Sequence, residues 1–325
     1  MKRFISMSIF LLLFLVVIAG CQNTQPQEET ESEKQETTAD DFPVTIQIDD
    51  EEVTIEEKPN RIFPLSLEVA EIVLDLVEPD KIVAATKGID DPFLSTKVDV
   101  AEEIEGRISA QVNIDPEEII SYETDLLLLT KMFGEQEEAE STLKQLDTPI
   151  LSFDSIVTVE QYLDVTRTIG KAVGEETKAE ELIENIEGKI ESLQEEIPED
   201  ENPTVLVLSE IGGDLGPFMM GPTNISYDLL KLAGATPAVD KIKLERSTPA
   251  SIEQILKTDP DYILLVDFFG KGEEGFNELM EDPGWNTLQA VKDNKIKLME
   301  AKYIVNPNSQ NIKGLEELID WLYKE

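Results

Sequence analysis

Apolar and polar residues change their spacing several times along the chain, and each spacing predicts a different element. Val44–Ile48 and Val53–Ile55 alternate apolar and polar residues on either side of Asp49-Asp50, which predicts an opening β-hairpin. From Pro59 onward, short apolar runs that fit buried strands alternate with longer segments at helical spacing. Strands that alternate with helices are typical of a mainly parallel sheet covered on both faces. The pattern therefore predicts an α/β protein.

The predicted elements form two series that are joined by a charged helical stretch. The first series has strands at 62–65, 81–85, 126–129 and 150–153, and helices at 67–77, 116–122 and 135–146. Residues 159–197 predict one helix, a break around Gly170 and Gly174, and a second helix, followed by an acidic boundary between Pro198 and Pro203. The second series has strands at 204–208, 262–266 and 295–299, and helices at 225–233, 249–257, 287–292 and 309–323.

The two series resemble each other in sequence. Residues 115–129 align with residues 251–266, which places Glu117 over Glu253 and Asp125 over Asp261. The same offset places Phe133-Gly134 over Phe269-Gly270. Chance similarity between acidic helix and strand pairs is the alternative. We predict two similar lobes joined by one long helical connector. The expected boundaries are a signal peptide at 1–20, a tether at 21–41, an N-terminal lobe at 42–157, a connector at 158–202 and a C-terminal lobe at 203–325.

The N-terminal segment has the features of an export signal. Lys2 and Arg3 precede an apolar run at 9–18, and Ala19-Gly20 stand directly before Cys21, the single cysteine. The run is too short for a transmembrane helix of about 20 residues. Residues 18–21 resemble the bacterial lipobox, whose cysteine receives two acyl chains such as palmitate, enough for stable anchoring on the extracytoplasmic face of the membrane. The alternative is a secreted protein with a free thiol at Cys21. Residues 22–41 are too polar to fold and predict a tether.

Composition excludes several classes of protein. The formal net charge is -42, which argues against nucleic-acid binding. The chain has no histidine, so a bare zinc or manganese ion cannot be held by imidazole. We find no Gly-x-Ser-x-Gly elbow, no phosphate-binding loop and no residues for a histidine or cysteine triad. We therefore expect no catalytic residues, no cofactor and no resident metal, with a carboxylate-only hydrolase as the alternative.

Several segments resemble one family of binding proteins. They are Arg61–Ile72, Asp80–Thr86, Thr258–Leu265, Asp282–Ile296 and the C-terminal helix. Their order and spacing are similar to those of the periplasmic binding proteins for siderophores, haem and cobalamin. The resemblance implies a monomer with limited hinge motion that binds its ligand between the lobes. It also implies delivery of that ligand to the permease subunits, and through them the ATPase, of an ABC importer. A sensor or adhesin on the same fold is the alternative.

The ligand site is expected in the loops that follow the strands, because ligands of open parallel sheets bind there. Aromatic residues and methionines in otherwise polar loops indicate a binding surface, although some of them plug the lobe cores instead. The candidates are Lys87, Lys131, Met132, Phe133, Phe218, Met219, Arg246, Phe268, Phe269 and Tyr303. The lysines and Arg246 suit carboxylates or a negatively charged ferric complex, or are ordinary surface cations. A ferric siderophore is the expected ligand. Cobalamin, or haem held axially by Met132, Met219 or Tyr303, is the alternative.

The resemblance also implies one acidic residue on each lobe that pairs with arginines of the permease. At the matching positions stand Glu71 in the first lobe and Asp228 in the second. On its predicted helix, Glu71 shares one face with Glu68, Asp75 and Glu78. The alternative is therefore an ordinary solvated stripe.

Overall fold

The N-terminal hairpin has the pairing that its alternation predicts. The computed structural model describes residues 42–109, 116–131 and 147–324, apart from the side chains of Pro116 and Asp214. The predictions for residues 1–41 and the helix predicted at 135–146 lie outside these residues. Strands β1 (Val44–Ile48) and β2 (Glu51–Ile55) pair antiparallel, and Asp49 in the turn has a φ of 51°. Val44 and Ile46 are buried while Thr45 and Gln47 are exposed, so one face of the hairpin packs on the core.

The N-terminal lobe contains parallel strands with helices between them. Its strands are β3 (Ile62–Pro64), β4 (Ala84–Thr86), β5 (Gly106–Ile108), β6 (Leu126–Thr130) and β7 (Ile150–Phe153). The helices within the described part of this lobe are α1 (Leu67–Leu76), α2 (Val98–Ala101) and α3 (Pro116–Ser121). The order β3-β6-β7 is parallel throughout, β4 pairs parallel with β5, and a parallel bridge between Ile62 and Ile82 joins the two groups. All of β6 is buried, as expected for a strand covered on both faces.

The connector consists of two helices that pack closely against each other. Helix α4 (Val159–Val173) begins with a capping box formed by Thr158 and Gln161, and α5 (Glu176–Gln194) follows it. Gly174, with a φ of 67°, ends α4, so the predicted break is confirmed there. Gly170 lies within α4 instead, where an added Cβ would be 2.4 Å from the Cβ of Ala179. Among the described helices, none is long and apolar enough to cross a membrane.

The C-terminal lobe contains a larger sheet with a parallel centre. Its strands are β8 (Thr204–Ser209), β9 (Phe218–Met219), β10 (Thr236–Pro237), β11 (Thr248–Pro249), β12 (Tyr262–Asp267) and β13 (Ile296–Glu300). Its helices are α6 (Ile225–Leu232), α7 (Ile252–Thr258), α8 (Asn277–Met280), α9 (Gln289–Lys292), α10 (Ala301–Ile304) and α11 (Asn311–Tyr323). The order is β11-β9-β8-β12-β13 with β10 also beside β8, and β8, β12 and β13 are parallel. The predicted α/β architecture with two mainly parallel lobes is confirmed.

In both lobes, an aspartate makes a similar set of hydrogen bonds at the start of a central strand. In the first lobe, the Asp125 carboxylate accepts the backbone N–H groups of Asn60 and Arg61 at 2.8 and 2.9 Å. In the second, the Asp261 carboxylate accepts the N–H and hydroxyl of Thr204 at 2.8 and 2.7 Å. Each aspartate also donates its own N–H at 3.0 Å, to Arg61 O and to Thr204 O respectively. The aligned aspartates therefore occupy equivalent structural positions.

Candidate functional site

The carboxyl ends of the parallel strands form one edge in each lobe. In the first lobe these ends are Pro64, Thr86, Thr130 and Phe153, and in the second they are Ser209, Asp267 and Glu300. The loop after β4 brings the two edges together, because it reaches the loops after β12 and β13. A Cβ added at Gly270 would lie 2.5 Å from a ring carbon of Phe93, and Lys302 donates its N–H to Phe93 O at 2.9 Å. The cleft predicted between the lobes therefore has Phe93 at one of its borders.

The loop after β12 presents an aromatic pair at this edge. Phe268 and Phe269 pack edge to face, with ring centroids 5.1 Å apart and an interplanar angle of 71°. Phe268 is half-buried against the core, whereas Phe269 is 43 % exposed. The Lys271 ammonium lies 5.1 Å from the Phe269 ring centroid. Asp267 turns the loop back by accepting the N–H groups of Lys271 and Gly272 at 3.0 and 2.9 Å. The loop therefore holds an apolar ring and a cation side by side.

A buried glutamate that the sequence patterns did not single out lies beneath this loop. Glu210, directly after β8, is 3 % exposed and accepts the Phe268 N–H at 3.3 Å. Burial raises the pKa of Glu210, while the backbone N–H groups of Phe268 and Phe269 act in the opposite direction. Its Oε1 atom lies 4.0 Å from the Lys271 ammonium. Its only sequence signal is an acidic residue that interrupts the apolar strand before Gly212-Gly213. Glu210 thus fixes the base of the aromatic loop.

The predicted lysines of the first lobe have partners within that lobe. Lys87 is exposed in a short 3₁₀ turn after β4 and donates to the Ser109 hydroxyl at 2.9 Å. Lys131 pairs with Asp49 at 2.8 Å and Asp154 at 3.1 Å, at a hollow of about 190 Å³ beside the hairpin. The hydrogen bond that Lys131 donates to the Asp49 carboxylate raises the pKa of Lys131. Lys131 is thus tied to the hairpin turn. Met132 and Phe133 lie outside the described residues.

The Phe-Met segment of the second lobe divides between surface and core. In β9, Phe218 is half-buried and its ring lies against Gly212, while Met219 is fully buried. Successive strand residues point to opposite faces, which accounts for the difference. The expectation that Met219 contacts a ligand, or binds a haem iron axially, is therefore corrected: its side chain packs within the lobe core. Arg246 is exposed in the segment before β11, where its backbone packs against Gly221.

Tyr303 lies in α10, directly after β13, between two lysines. Its hydroxyl accepts from Lys313 at 3.1 Å, and the ammonium groups of Lys313 and Lys302 lie 4.2 and 5.1 Å from its ring centroid. That hydrogen bond raises the pKa of Lys313. The three residues place two cations against one ring in a strongly acidic protein.

Neither predicted docking acid projects freely from its lobe. Glu71 is 1 % exposed, and its carboxylate accepts hydrogen bonds from Ser95 Oγ at 2.6 Å and Thr96 N at 2.8 Å. Asp228 is half-buried and accepts the Val159 N–H at 2.9 Å, at the start of α4. A carboxylate that is enclosed in its own lobe cannot reach an arginine on another protein. The docking role assigned to Glu71 is therefore corrected. Asp228 is an N-terminal partner of the connector helix, and its docking role stays a prediction.

Comparison with known proteins defines the class to which this chain belongs. The family model described as "Periplasmic binding protein" matches residues 62–303. The chain therefore belongs to the periplasmic binding protein family.

Curated relatives and solved structures agree with this class. The chain is similar to the ABC transporter substrate-binding lipoprotein YvrC of Bacillus subtilis, with 26% identity over 97% of this chain and 96% of YvrC. It is also 26% identical to the Fe(3+)-citrate-binding protein YfmC of the same organism, over 91% of this chain and 89% of YfmC. Its fold is similar to the crystal structure of an ABC-type Fe3+-hydroxamate transport system from Saccharomonospora viridis, with a TM-score of 0.70, 20% identity, and coverage of 87% of this chain and 99% of that one.

Proposed function

We propose that this protein is the extracytoplasmic substrate-binding lipoprotein of an ABC importer and captures a ferric chelate between its lobes, a ferric siderophore first among them. The observation that carries this proposal is the meeting of the two carboxyl edges at Phe93 and Gly270, beside the exposed Phe269 ring and Lys271. Ligands bind at such edges in open α/β sheets. Its relatives support the proposal, since YvrC is an ABC transporter substrate-binding lipoprotein and YfmC is an Fe(3+)-citrate-binding protein.

The chemistry of the loop after β12 suits an anionic chelate with apolar parts. The exposed Phe269 ring offers a face for an apolar or aromatic group of the ligand, and Lys271 beside it offers a charge for a carboxylate. Carboxylate-rich ferric complexes such as ferric citrate are thus a specific second candidate within the same class. A haem iron held by the Tyr303 hydroxyl would share that oxygen with the Lys313 ammonium, which already donates to it.

Calorimetric titration tests the ligand proposal directly. The mature chain is titrated with ferric hydroxamates, ferric catecholates, ferric citrate, haemin and cobalamin. Phe269→Ala is expected to weaken binding of the chelate by about 1–3 kcal/mol, or roughly 5- to 200-fold in the dissociation constant, while the urea midpoint of unfolding stays unchanged. Leu256→Ala removes an apolar side chain that is 38% exposed on α7 and serves as the matched control. If the folded protein binds none of these iron complexes, the proposal fails.

Two exposed glutamates are better placed than the buried Glu71 and the half-buried Asp228, and we propose them as permease contacts. Glu117 and Glu253, which the internal repeat aligns, lie exposed in the first turns of α3 and α7. Both helices run back along parallel strands, so they begin at the carboxyl edge of their lobe, one acid on each side of the cleft. An exposed charge at each position suits electrostatic docking on two like permease subunits.

Transport measurements separate docking from ligand binding. Glu117→Lys combined with Glu253→Lys is expected to abolish iron uptake, while calorimetric affinity for the chelate stays within about twofold of the parent. Glu103→Lys combined with Glu281→Lys changes the net charge equally at two other exposed positions and should leave uptake near the parent level. Normal uptake by the first double variant would show that these glutamates do not dock.

Anchoring through Cys21 is part of the proposal. Cys21→Ala should remove the acceptor for the thioether and leave the precursor free of label when cells are grown with labelled palmitate. Incorporation of label at the parent level by this variant would refute the anchor.

A further inference from the structure

Three consecutive carbonyls of the first lobe accept hydrogen bonds from the second lobe. Pro92 O accepts from the Lys302 ammonium at 2.6 Å, Phe93 O from the Lys302 N–H at 2.9 Å, and Leu94 O from the Asn306 side chain at 3.0 Å. The Phe93 ring at the same place lies against Gly270. One short segment therefore holds the loops after β12 and β13 of the other lobe.

This segment is fastened firmly to its own lobe. Asp91 folds it by accepting the Phe93 N–H on its side chain at 2.9 Å, and the N–H groups of Leu94 and Ser95 on its carbonyl. The following residues bond to helix α1: Ser95 Oγ, Thr96 N and Thr96 Oγ all donate to the Glu71 carboxylate. Lys97 Nζ donates to Asp75, one turn further along α1. Residues 91–97 therefore move with α1.

The receiving surface on the second lobe is equally well fixed. Lys302 lies in the first turn of α10, where its N–H has no partner within the helix and is available to Phe93 O. The Asn306 carbonyl accepts from the side chains of Asn308 at 2.8 Å and Asn311 at 3.0 Å. Asn308 and Asn311 are 2 % and 4 % exposed, so this polar network is internal. Lys302 and Asn306 therefore present donors at set positions.

We propose that residues 91–97 form a clasp by which the first lobe grips the second, with Glu71 as its positioning residue. Opening of this clasp is the motion that lets the cleft admit and release its ligand, and only this last statement rests on the proposed function. At this border the lobes meet through three hydrogen bonds and one ring contact, few enough to break without unfolding either lobe. Such hinge closure around a ligand uses few residues to absorb the motion.

Two glycines of one loop provide a matched test of the clasp. Gly270 and Gly272 have φ values of 72° and 61°, so alanine brings similar backbone strain at either position. The added methyl group meets the Phe93 ring only at Gly270, since at Gly272 the nearest side-chain atom is 3.9 Å away, on Leu298. Gly270→Ala should therefore force the clasp open, and Gly272→Ala should not.

Pulsed electron paramagnetic resonance reports the opening. The mature chain with Cys21→Ser has no other cysteine, so spin labels are attached at Asp80→Cys and Lys257→Cys, two exposed sites on different lobes. The Gly270→Ala variant is expected to show a longer and broader distance distribution than the parent, whereas Gly272→Ala keeps the parent distribution. Phe93→Ala combined with Gly270→Ala should return the distance to the parent value, since the colliding ring is gone.

Other outcomes overturn the clasp. A double variant that stays open would assign the change to backbone strain, and identical distributions for Gly270→Ala and Gly272→Ala would show that Phe93 does not hold the lobes. If Gly270→Ala fails to fold, Asn306→Ala is used instead, because it removes one donor without backbone strain. This variant should still broaden the distance distribution, and a distribution like that of the parent would refute the clasp. No ligand is used, so the result does not depend on whether the natural ligand is an iron chelate.

Discussion

The buried Glu71 of helix α1 should make the stability of the protein depend on pH, and a substitution that removes its charge tests this prediction. Its carboxylate is 1 % exposed and receives three donors from Ser95 and Thr96. Burial raises the pKa of Glu71 above its usual value, and the hydrogen bonds and the charge of Lys97 only partly oppose this effect. Tyr162 of α4 and Asp75 of α1 are the other titratable groups nearby, and Glu71 in turn contributes to a raised pKa at Tyr162. The charged form is therefore disfavoured in the folded protein.

The sign of the pH dependence follows from this shift. A carboxyl whose pKa is higher in the folded state binds its proton more tightly there. The stabilisation that the Glu71 carboxyl contributes is fully present below 4.5, the pKa of this group in the unfolded state. It is lost as the pH rises through the higher pKa of the folded state. Each unit of difference between the pKa values of the folded and unfolded states corresponds to about 1.4 kcal/mol in the free energy of unfolding. Glu71→Gln keeps an oxygen for Ser95 and Thr96 N but carries no charge, so the parent should lose stability relative to this variant as the pH rises from 4.5.

Urea unfolding between pH 4 and pH 8 measures the effect on the parent, Glu71→Gln and Glu71→Ala. The alanine variant leaves the buried Ser95 hydroxyl and the half-buried Thr96 N–H without their acceptor, so it should be less stable than the glutamine variant by about 2 kcal/mol at every pH. Glu78→Gln, at an exposed residue just beyond α1, is the control for removal of one charge. Two results together would refute this reasoning. The first is a difference in unfolding free energy between the parent and Glu71→Gln that does not change with pH, and the second is equal stability of the alanine and glutamine variants.

Two further predictions concern the fold. Asp125→Ala and Asp261→Ala each remove the acceptor at the start of a central strand and should cost about 1–3 kcal/mol in urea unfolding, against a change near zero for the exposed Asp80→Ala; a neutral result at either aspartate would contradict the equivalence of the two sites. Gly170→Ala places a methyl group 2.4 Å from Ala179 and should destabilise by about 1–3 kcal/mol. In α5, Gly188→Ala adds a methyl group with nothing within 4 Å and should stabilise the protein by about 0.5–1 kcal/mol. If the thermal midpoints of the Gly170→Ala and Gly188→Ala variants shift in the same direction, the close packing of α4 on α5 is contradicted.

The lobes were predictable because their signals are local. The run Leu126–Leu129 has no polar residue, which is typical of a strand between two helical layers, and all four leucines are buried. The alternation in β1 and β2 likewise predicts one buried face, and the hairpin has it. The position of each strand end then follows, so the edges at which a cleft is expected were also within reach of the sequence.

The roles of individual charged residues were not predictable, because they depend on distant segments. Glu68, Glu71, Asp75 and Glu78 share a helical face that periodicity alone assigns to solvent. The loop at 95–97 covers the middle of that face, so Glu71 is buried whereas Glu78 is exposed. Lys131 follows a strand that ends at the cleft edge, yet its partner Asp49 lies 82 residues away in the hairpin turn. No spacing rule connects such positions.

The clasp left no trace in the sequence because two of its three bonds join a side chain to a backbone carbonyl and the third is wholly backbone. Carbonyl groups are the same in every residue, so only Phe93 distinguishes the segment. The physical consequence lies in how α1 is held. Lys178 of α5 donates to the Leu76 carbonyl at the end of α1, at 3.0 Å, while Glu71 and Asp75 hold the clasp on the same helix. Helix α1 therefore fastens the clasp to the connector, and opening of the clasp breaks its contacts with Gly270, Lys302 and Asn306 rather than those with α1.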